Sequence, residues 1–339
     1  MNKQAQPLKQ DTPQAGPLDR LAHLVGEDMQ KVNALIIRHM DSQVPLIPQI
    51  AAYLIAAGGK RIRPLLTLAA TRLYGYNGDR PYALAASVEF IHTATLLHDD
   101  VVDESTQRRG KDAANLVFGN QASVLVGDFL FSRAFQLMVT DGSLDVLRIL
   151  SEASAIIAEG EVMQLAAAGD LATDMGAYNK IIAAKTAALF AAACEIGPVI
   201  AGADKAAQES LRTYGHELGM AFQIADDILD YSATQEKLGK TVGDDFREGK
   251  LTAPVILALA DADADERAFW HRTMVEKDQK PDDLATAQSL LARHNALKRG
   301  ADLARAHATK AAECLANAPD TPFRPLLAEL AHYTVDREF

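Results

Sequence analysis

Cysteine is nearly missing from this chain of 339 residues: only Cys194 and Cys314 occur, far apart in Ala-rich apolar stretches. That excludes a disulfide framework and points to two reduced core thiols. Aromatic residues make up 6% while alanine is abundant, which favours helix over sheet. No alternation of period two persists, and no solenoid period recurs. No run of 18 or more apolar residues exists, so no transmembrane segment is expected. The stretch from Met1 to Pro17 is rich in Gln, Pro and Lys and lacks the apolar core of a secretory signal. It reads as a flexible tail, and a cytoplasmic location follows as the default. Positive charge is in deficit: the net charge of -11 argues against a nucleic-acid surface. The nine histidines show no zinc-type spacing, and no Ser/His/Asp or Cys/His triad finds support. With 48% apolar and 23% charged residues, the chain can bury a sizeable core. Residues 18–339 read as one large all-α domain.

What the chain does hold is acid in a pattern. Asp99, Asp100 and Asp103 stand at i, i+1 and i+4, and the same D-D-x-x-D returns as Asp226, Asp227 and Asp230. With 29 Asp in the chain, chance placement would give roughly 0.2 such matches. On a helix the first and last carboxylates of each set share a face. Three like charges that close repel one another unless a hard cation joins them. Both sets close long apolar helical segments, Ala83 to Glu104 and Gln208 to Tyr231.

Cations accompany them. Gly58-Gly59-Lys60-Arg61-Ile62-Arg63-Pro64 reads equally as a diphosphate clamp or as cations favourable to a helix C-terminus. Arg108 and Arg109 follow the first Asp cluster in a charged loop of a kind that surrounds a polyanion and its metal. Lys185, beside Thr186 in an Ala-rich helix, either snorkels to solvent or meets a phosphate. Gly215 and Gly219 weaken the helix leading to Asp226 unless a close neighbour needs the space. Gly239 to Lys250 is a charged, Gly-rich loop suited to a lid.

Periodicity predicts further helices over Leu18 to Met40, Ile50 to Ala57, Pro64 to Tyr74, Gln121 to Thr140, Leu144 to Ala168, Tyr178 to Ala193 and Leu251 to Ala260. An acidic turn covers Asp261 to Asp265, and three or four amphipathic helices follow from Glu266.

These blocks, in this order, resemble the trans-isoprenyl diphosphate synthases of the polyprenyl synthetase family, here of the long-chain type. The blocks are Gly58 to Pro64, His98 to Asp103, Arg108-Arg109-Gly110, Lys185-Thr186, Gly219 to Asp230, and Gly239-Lys240 with Gly249-Lys250. The resemblance implies helices around a deep central cavity, a homodimer, and two Asp clusters facing each other across the cavity mouth. Three Mg²⁺ ions bridging to the diphosphate of an allylic substrate are implied with them. Diphosphate departs, the double bond of isopentenyl diphosphate attacks the allylic cation, and a proton is lost. The chain grows by five carbons each time.

By the same resemblance Asp99, Asp103 and Asp226 ligate metal, with Asp100, Asp227 and Asp230 supporting them directly or through water. Arg108, Lys185 and Lys250, with Lys240 nearby, contact the allylic diphosphate. Lys60, Arg63, Arg109 and His92 hold that of isopentenyl diphosphate, and Thr186 and Gln223 face the reacting carbons.

Ala94 lies roughly 7.5 Å below Asp99 along the helix. Short-chain members carry an aromatic there or at the position of Thr95, and many bacterial ones carry two extra residues in the first cluster. Neither feature is present, which implies a product of eight to ten isoprene units, suited to quinone side chains and passed to membrane enzymes. Phe131, Phe135 and Met138 are candidates for a lower floor and equally for ordinary core. A non-catalytic subunit would have lost an Asp cluster or its cations. A cyclase or head-to-head synthase would not need the second clamp at Lys60, Arg63 and Arg109.

Overall fold

A computed structural model describes residues 16–56, 58–108, 110–232 and 242–336. Two helices open it, α1 (Pro17–Leu24) and α2 (Gly26–Met40), where periodicity predicted one; the chain bends at Val25. Pro17, assigned to the tail, sits in the first turn of α1, where a missing N–H costs nothing. The next helix, α3 (Leu46–Ala56), starts earlier than expected because Pro48 falls in its first turn. There follow α4 (Ile62–Leu73) and α5 (Arg80–Val102).

A two-residue antiparallel ladder, β1 (Gln107–Arg108) with β2 (Lys111–Asp112), corrects the expectation of no sheet. Strands this short leave no alternation in the sequence to read. After α6 (Ala114–Phe118) come α7 (Asn120–Asp141), α8 (Leu144–Ala167) and α9 (Met175–Ile182). A π turn over Ala183–Ala187 joins α9 to α10 (Ala188–Ile200), which runs past the expected Ala193 with Pro198 inside it. Then come α11 (Lys205–Ser232), α12 (Asp244–Glu248), α13 (Ala253–Leu259) and α14 (Ala264–Trp270). Asp263, read as part of a turn, caps α14 in a capping box with Glu266. A second π turn, His271–Val275, precedes α15 (Asp283–Arg293), α16 (Ala296–Cys314) and α17 (Phe323–Val335).

The central helix is α5. Its Leu84, Val88, Phe90, Ile91 and Leu97 have no exposed surface, so it runs through the core before its charged end, with Glu89 the buried acid along the way. Burial of each such side chain contributes roughly 1.5–3 kcal/mol. Helix α7 lies antiparallel along it. Arg80 grips Asp141 with two hydrogen bonds of 2.8 Å at one end, and His98 packs against Gly127 at the other.

The pair α10 and α11 also runs antiparallel, and glycine sets the spacing. A Cβ on Gly215 would lie 2.4 Å from the Phe190 carbonyl oxygen; one on Gly219 would lie 2.6 Å from Ala187 Cα. The close neighbour that these two glycines called for is therefore the backbone of α10 and of the π turn that leads into it. A second, smaller apolar cluster around Trp270, Tyr231, Phe246 and Met274 holds α12 to α15 beneath the end of α11.

Two helical stretches, Asn120–Asp141 and Met175–Ile200, are long and apolar enough to cross a membrane by length and composition. Neither is an unbroken apolar run, and both are compatible with the expectation of no transmembrane segment. Burial of 72% makes the second a core element, whereas the first is 39% buried and keeps an exposed apolar side.

Gly219→Ala should lower stability by about 1–3 kcal/mol, because helix backbones resist separation. Gly26→Ala, where an added Cβ meets nothing within 4 Å, should leave it unchanged or slightly raised. Urea midpoints read both; equal midpoints for the two variants would remove glycine as the determinant of the α10–α11 spacing.

Candidate active site

The first Asp cluster occupies the last turn of α5, and its members divide by burial. The side chains of Asp99 and Asp103 keep 13% and 20% of their surface, whereas Asp100 is 2% exposed. Asp100 turns inward to Arg108, whose Nε and Nη2 donate to its Oδ1 at 2.8 and 2.5 Å. Asn115 donates to the Asp100 carbonyl at 2.9 Å. Asp100 thus fixes Arg108, which stands on the short β-ladder beside the cluster.

Each exposed aspartate has a lysine. Lys185 Nζ lies 3.8 Å from Asp99 and 2.7 Å from Glu161 on α8. Lys250 Nζ lies 2.7 Å from Asp103 and 2.6 Å from Glu248. Burial pushes the Asp99 carboxyl up to about 6; Lys185 pulls it back, and Glu161 and Asp103 push it further. For Lys250, burial favours loss of its proton, but Asp103 and Glu248 outweigh it and raise the amine above its ordinary range.

The second cluster repeats the division on α11. Asp226 is half-buried, while Asp227 and Asp230 are 4% and 8% exposed. Asp227 accepts hydrogen bonds from Tyr178 Oη at 2.5 Å and Gln223 Nε2 at 2.8 Å. Burial raises its carboxyl to about 7 against these two donors, with Asp226 and Asp230 adding repulsion. Asp230 accepts from the backbone N–H groups of Asp244 and Asp245 at 3.2 and 3.0 Å. It therefore ties the start of α12 to α11. Asp245, half-buried, is raised well above the usual carboxylate range by burial and by Asp227 and Asp230, with Lys250 pulling the other way. Lys250 consequently stands between the two clusters, paired with Asp103 on one side and close to Asp245 on the other.

Lys185 and Thr186 sit in the π turn. Eight α-helical residues would leave Thr186 about 80° around the helix from Tyr178. A π turn absorbs one extra residue, about 100° of rotation, and returns both side chains to the side facing α11. There Tyr178 meets Asp227, and Thr186 Oγ1 donates to Gln223 Oε1 at 2.7 Å. Gly160 lets α8 cross this turn closely, since a Cβ there would lie 2.8 Å from the Lys185 nitrogen.

In the first basic loop Gly58 adopts φ +72° and Arg61 φ 47°. A left-handed non-glycine residue costs roughly 1 kcal/mol or more. The Arg61 guanidinium is held by Glu89 on α5 at 3.1 Å. Arg63 stacks over the Phe190 ring, 4.4 Å from its centre. Lys60 is exposed and His92 half-buried. Arg109 and Lys240 lie outside the described residues.

Below Asp99, Ala94 is fully buried, and Thr95 bonds the His92 carbonyl at 2.8 Å. Phe131 is partly buried against the core and Met138 fully buried, but Phe135 is 38% exposed. Phe135 faces outward from α7 with Val139 and Leu125, away from any interior floor of a single chain.

Glu161, Glu248, Asp245 and Tyr178 were not among the site residues read from the sequence. Polar groups on an apolar face of α8 hinted at the first, and an acid two residues before Lys250 at the second. Nothing local marks Tyr178. Asp99, Asp103 and Asp226 offer the hard oxygen donors that suit Mg²⁺. Among the described residues no three His, Cys, Asp or Glu side chains could hold an ion by themselves. Mg²⁺ ordinarily takes one or two carboxylates, completing its shell with water and substrate phosphate.

The polyprenyl synthetase family model matches residues 44–291. The octaprenyl diphosphate synthase of Escherichia coli is 46% identical over 321 residues, covering 95% of this chain and 99% of that protein. A crystal structure of a decaprenyl diphosphate synthase from Rhodobacter capsulatus is 54% identical, with a TM-score of 0.91, over 95% of this chain and 99% of that one. A polyprenyl synthase from Caulobacter crescentus, complexed with calcium and isoprenyl diphosphate, is 52% identical with a TM-score of 0.92, over 97% and 100%. With two Asp triads at the ends of long helices, and this likeness spanning nearly its whole length, the chain belongs to the polyprenyl synthetase family.

Proposed function

We propose that the chain is a long-chain polyprenyl diphosphate synthase, a transferase that adds isopentenyl diphosphate repeatedly to an allylic diphosphate. The observation that carries this reading is the pairing of the first Asp triad with the cations Arg108, Lys185 and Lys250, with the second triad near the same lysine through Asp245. Asp99, Asp103 and Asp226 would hold Mg²⁺, three ions by family resemblance, and the metal would neutralise the leaving diphosphate when bound. Asp100, Asp227 and Asp230 act behind them, on Arg108, Gln223 and the α12 loop.

Arg108, Lys185 and Lys250 grip the allylic diphosphate, with Lys240 beside them. Lys60, Arg63, Arg109 and His92 grip that of isopentenyl diphosphate, Arg63 pre-aimed by its stacking on Phe190. The ordering of both diphosphates brings the reacting carbons together. Thr186 and Gln223 turn oxygen dipoles toward the developing cation. Small side chains at Ala94 and Thr95 let the product pass, so elongation continues to eight to ten isoprene units, a length suited to quinone side chains.

The exposed apolar side of α7, with Leu125 at 66% and Val139 at 64%, continues onto α8 with Val162 at 67% and Leu165 at 66%. Such a surface on one chain suits the self-complementary interface of a homodimer. Phe135 would be covered there.

Incubation with farnesyl diphosphate, isopentenyl diphosphate and Mg²⁺ should yield products of eight to ten units by chromatography. No elongation would sink the reading; products stopping at three or four units would sink only the chain length. Asp99→Ala and Asp226→Ala should each lose several kcal/mol of transition-state stabilisation, read from kcat/KM. Near-normal turnover in either contradicts its metal role. Ala94→Phe should shorten the product while sparing the first additions, and an unchanged product distribution would put the tunnel elsewhere. Leu125→Glu combined with Leu165→Glu should convert a dimer to monomer in sedimentation; a variant that still sediments as a dimer rules out this face.

A further inference from the structure

Tyr178 belongs to none of the groups that grip diphosphate or metal, yet it is 3% exposed and its hydroxyl reaches into the second Asp cluster. We propose that Tyr178 is a positioning residue that sets the direction of the Gln223 amide, and through it the Thr186 hydroxyl, by holding Asp227. The proposal rests on the reading of Thr186 and Gln223 as the groups facing the reacting carbons.

The hydrogen bonds form one directed chain. Tyr178 Oη donates to Asp227 Oδ2 at 2.5 Å, and Gln223 Nε2 donates to Asp227 Oδ1 at 2.8 Å. Both carboxylate oxygens accept here, so Asp227 takes the NH₂ end of the amide. The amide oxygen is then turned to Thr186, whose hydroxyl donates to it at 2.7 Å. With its proton committed to Gln223, the Thr186 oxygen keeps its lone pairs for an electron-poor carbon. A flipped amide would present N–H groups instead and reverse the local dipole, which is unfavourable to a developing cation.

Gln223 and Asp227 are one turn apart on α11, so their bond alone could persist with the carboxylate rotated. Tyr178, on another helix, removes that freedom. It gives the second oxygen a donor in a place that is 4% exposed, where the carboxylate has little water to turn toward. The π turn is what puts Tyr178 and Thr186 on the same side.

The test is a double-mutant cycle on the full-length enzyme, with single-turnover condensation of farnesyl diphosphate and isopentenyl diphosphate in saturating Mg²⁺. Tyr178→Phe removes one oxygen and keeps the ring, and thermal midpoints check that each variant is folded at the assay temperature. We expect Tyr178→Phe to lower the rate about tenfold, the scale of one buried hydrogen bond, with KM for both diphosphates within about twofold. In a Gln223→Ala background the same change should alter the rate by less than about 1.5-fold, because the group it orients is gone. Repeating the cycle with Thr186→Val should give the same non-additivity at the far end of the chain. An unchanged rate in Tyr178→Phe, or an equal loss in all backgrounds, overturns the proposal alone. Normal turnover in Gln223→Ala or Thr186→Val overturns the roles assigned to those residues, and this proposal with them.

Discussion

Like charges at close range organise this protein. Six carboxylates at the ends of two helices repel one another, and groups from elsewhere in the fold restrain them. Arg108 arrives on a β-ladder, Lys185 on a π turn, Lys250 behind a capped loop, and Tyr178 on a helix that crosses α11. Helix α5 supports this by burying most of its length before the Asp cluster begins. A charged helix end is tolerable only on a rigid stem, and the stem is the deepest part of the core.

The three inner aspartates and the three outer ones do different work with the same side chain. Where a carboxylate is buried with protein donors on it, as at Asp100, Asp227 and Asp230, it shapes its neighbours. Where it keeps some solvent and only a lysine, as at Asp99 and Asp103, a flexible amine is its counter-charge. Glu161 and Glu248 hold those lysines from the other side, so either amine can turn from aspartate to phosphate without being stranded.

What was legible in the sequence is local. The D-D-x-x-D spacing needs only the geometry of one helix, and Gly215 and Gly219 announced a close neighbour by being poor helix formers in a long helix. The neighbour itself, the backbone at Ala187 and Phe190, was not nameable, since that pairing spans a separation only the fold closes. The same holds for Tyr178, Glu161 and Asp245, which act across helices. Pro48 and Pro17 misled because proline ends a helix and also begins one, and only the register of the turn decides. The β-ladder at Arg108 is shorter than any pattern that could declare it.

The π turn at Ala183–Ala187 also makes the chain tolerant of a change that an ordinary buried helix would not absorb. Loss of a single residue there would restore ordinary helix and leave everything before it in register with everything after it, since seven α-helical residues turn through about the same angle as eight that include the π turn. Lys185 and Phe190 could keep their places with Tyr178 still on Asp227. Sequence length between residues 178 and 190 is therefore under looser constraint, by one residue, than the side chains that meet α11. A second deletion, with no bulge left to remove, would act as a change of phase between two helical faces.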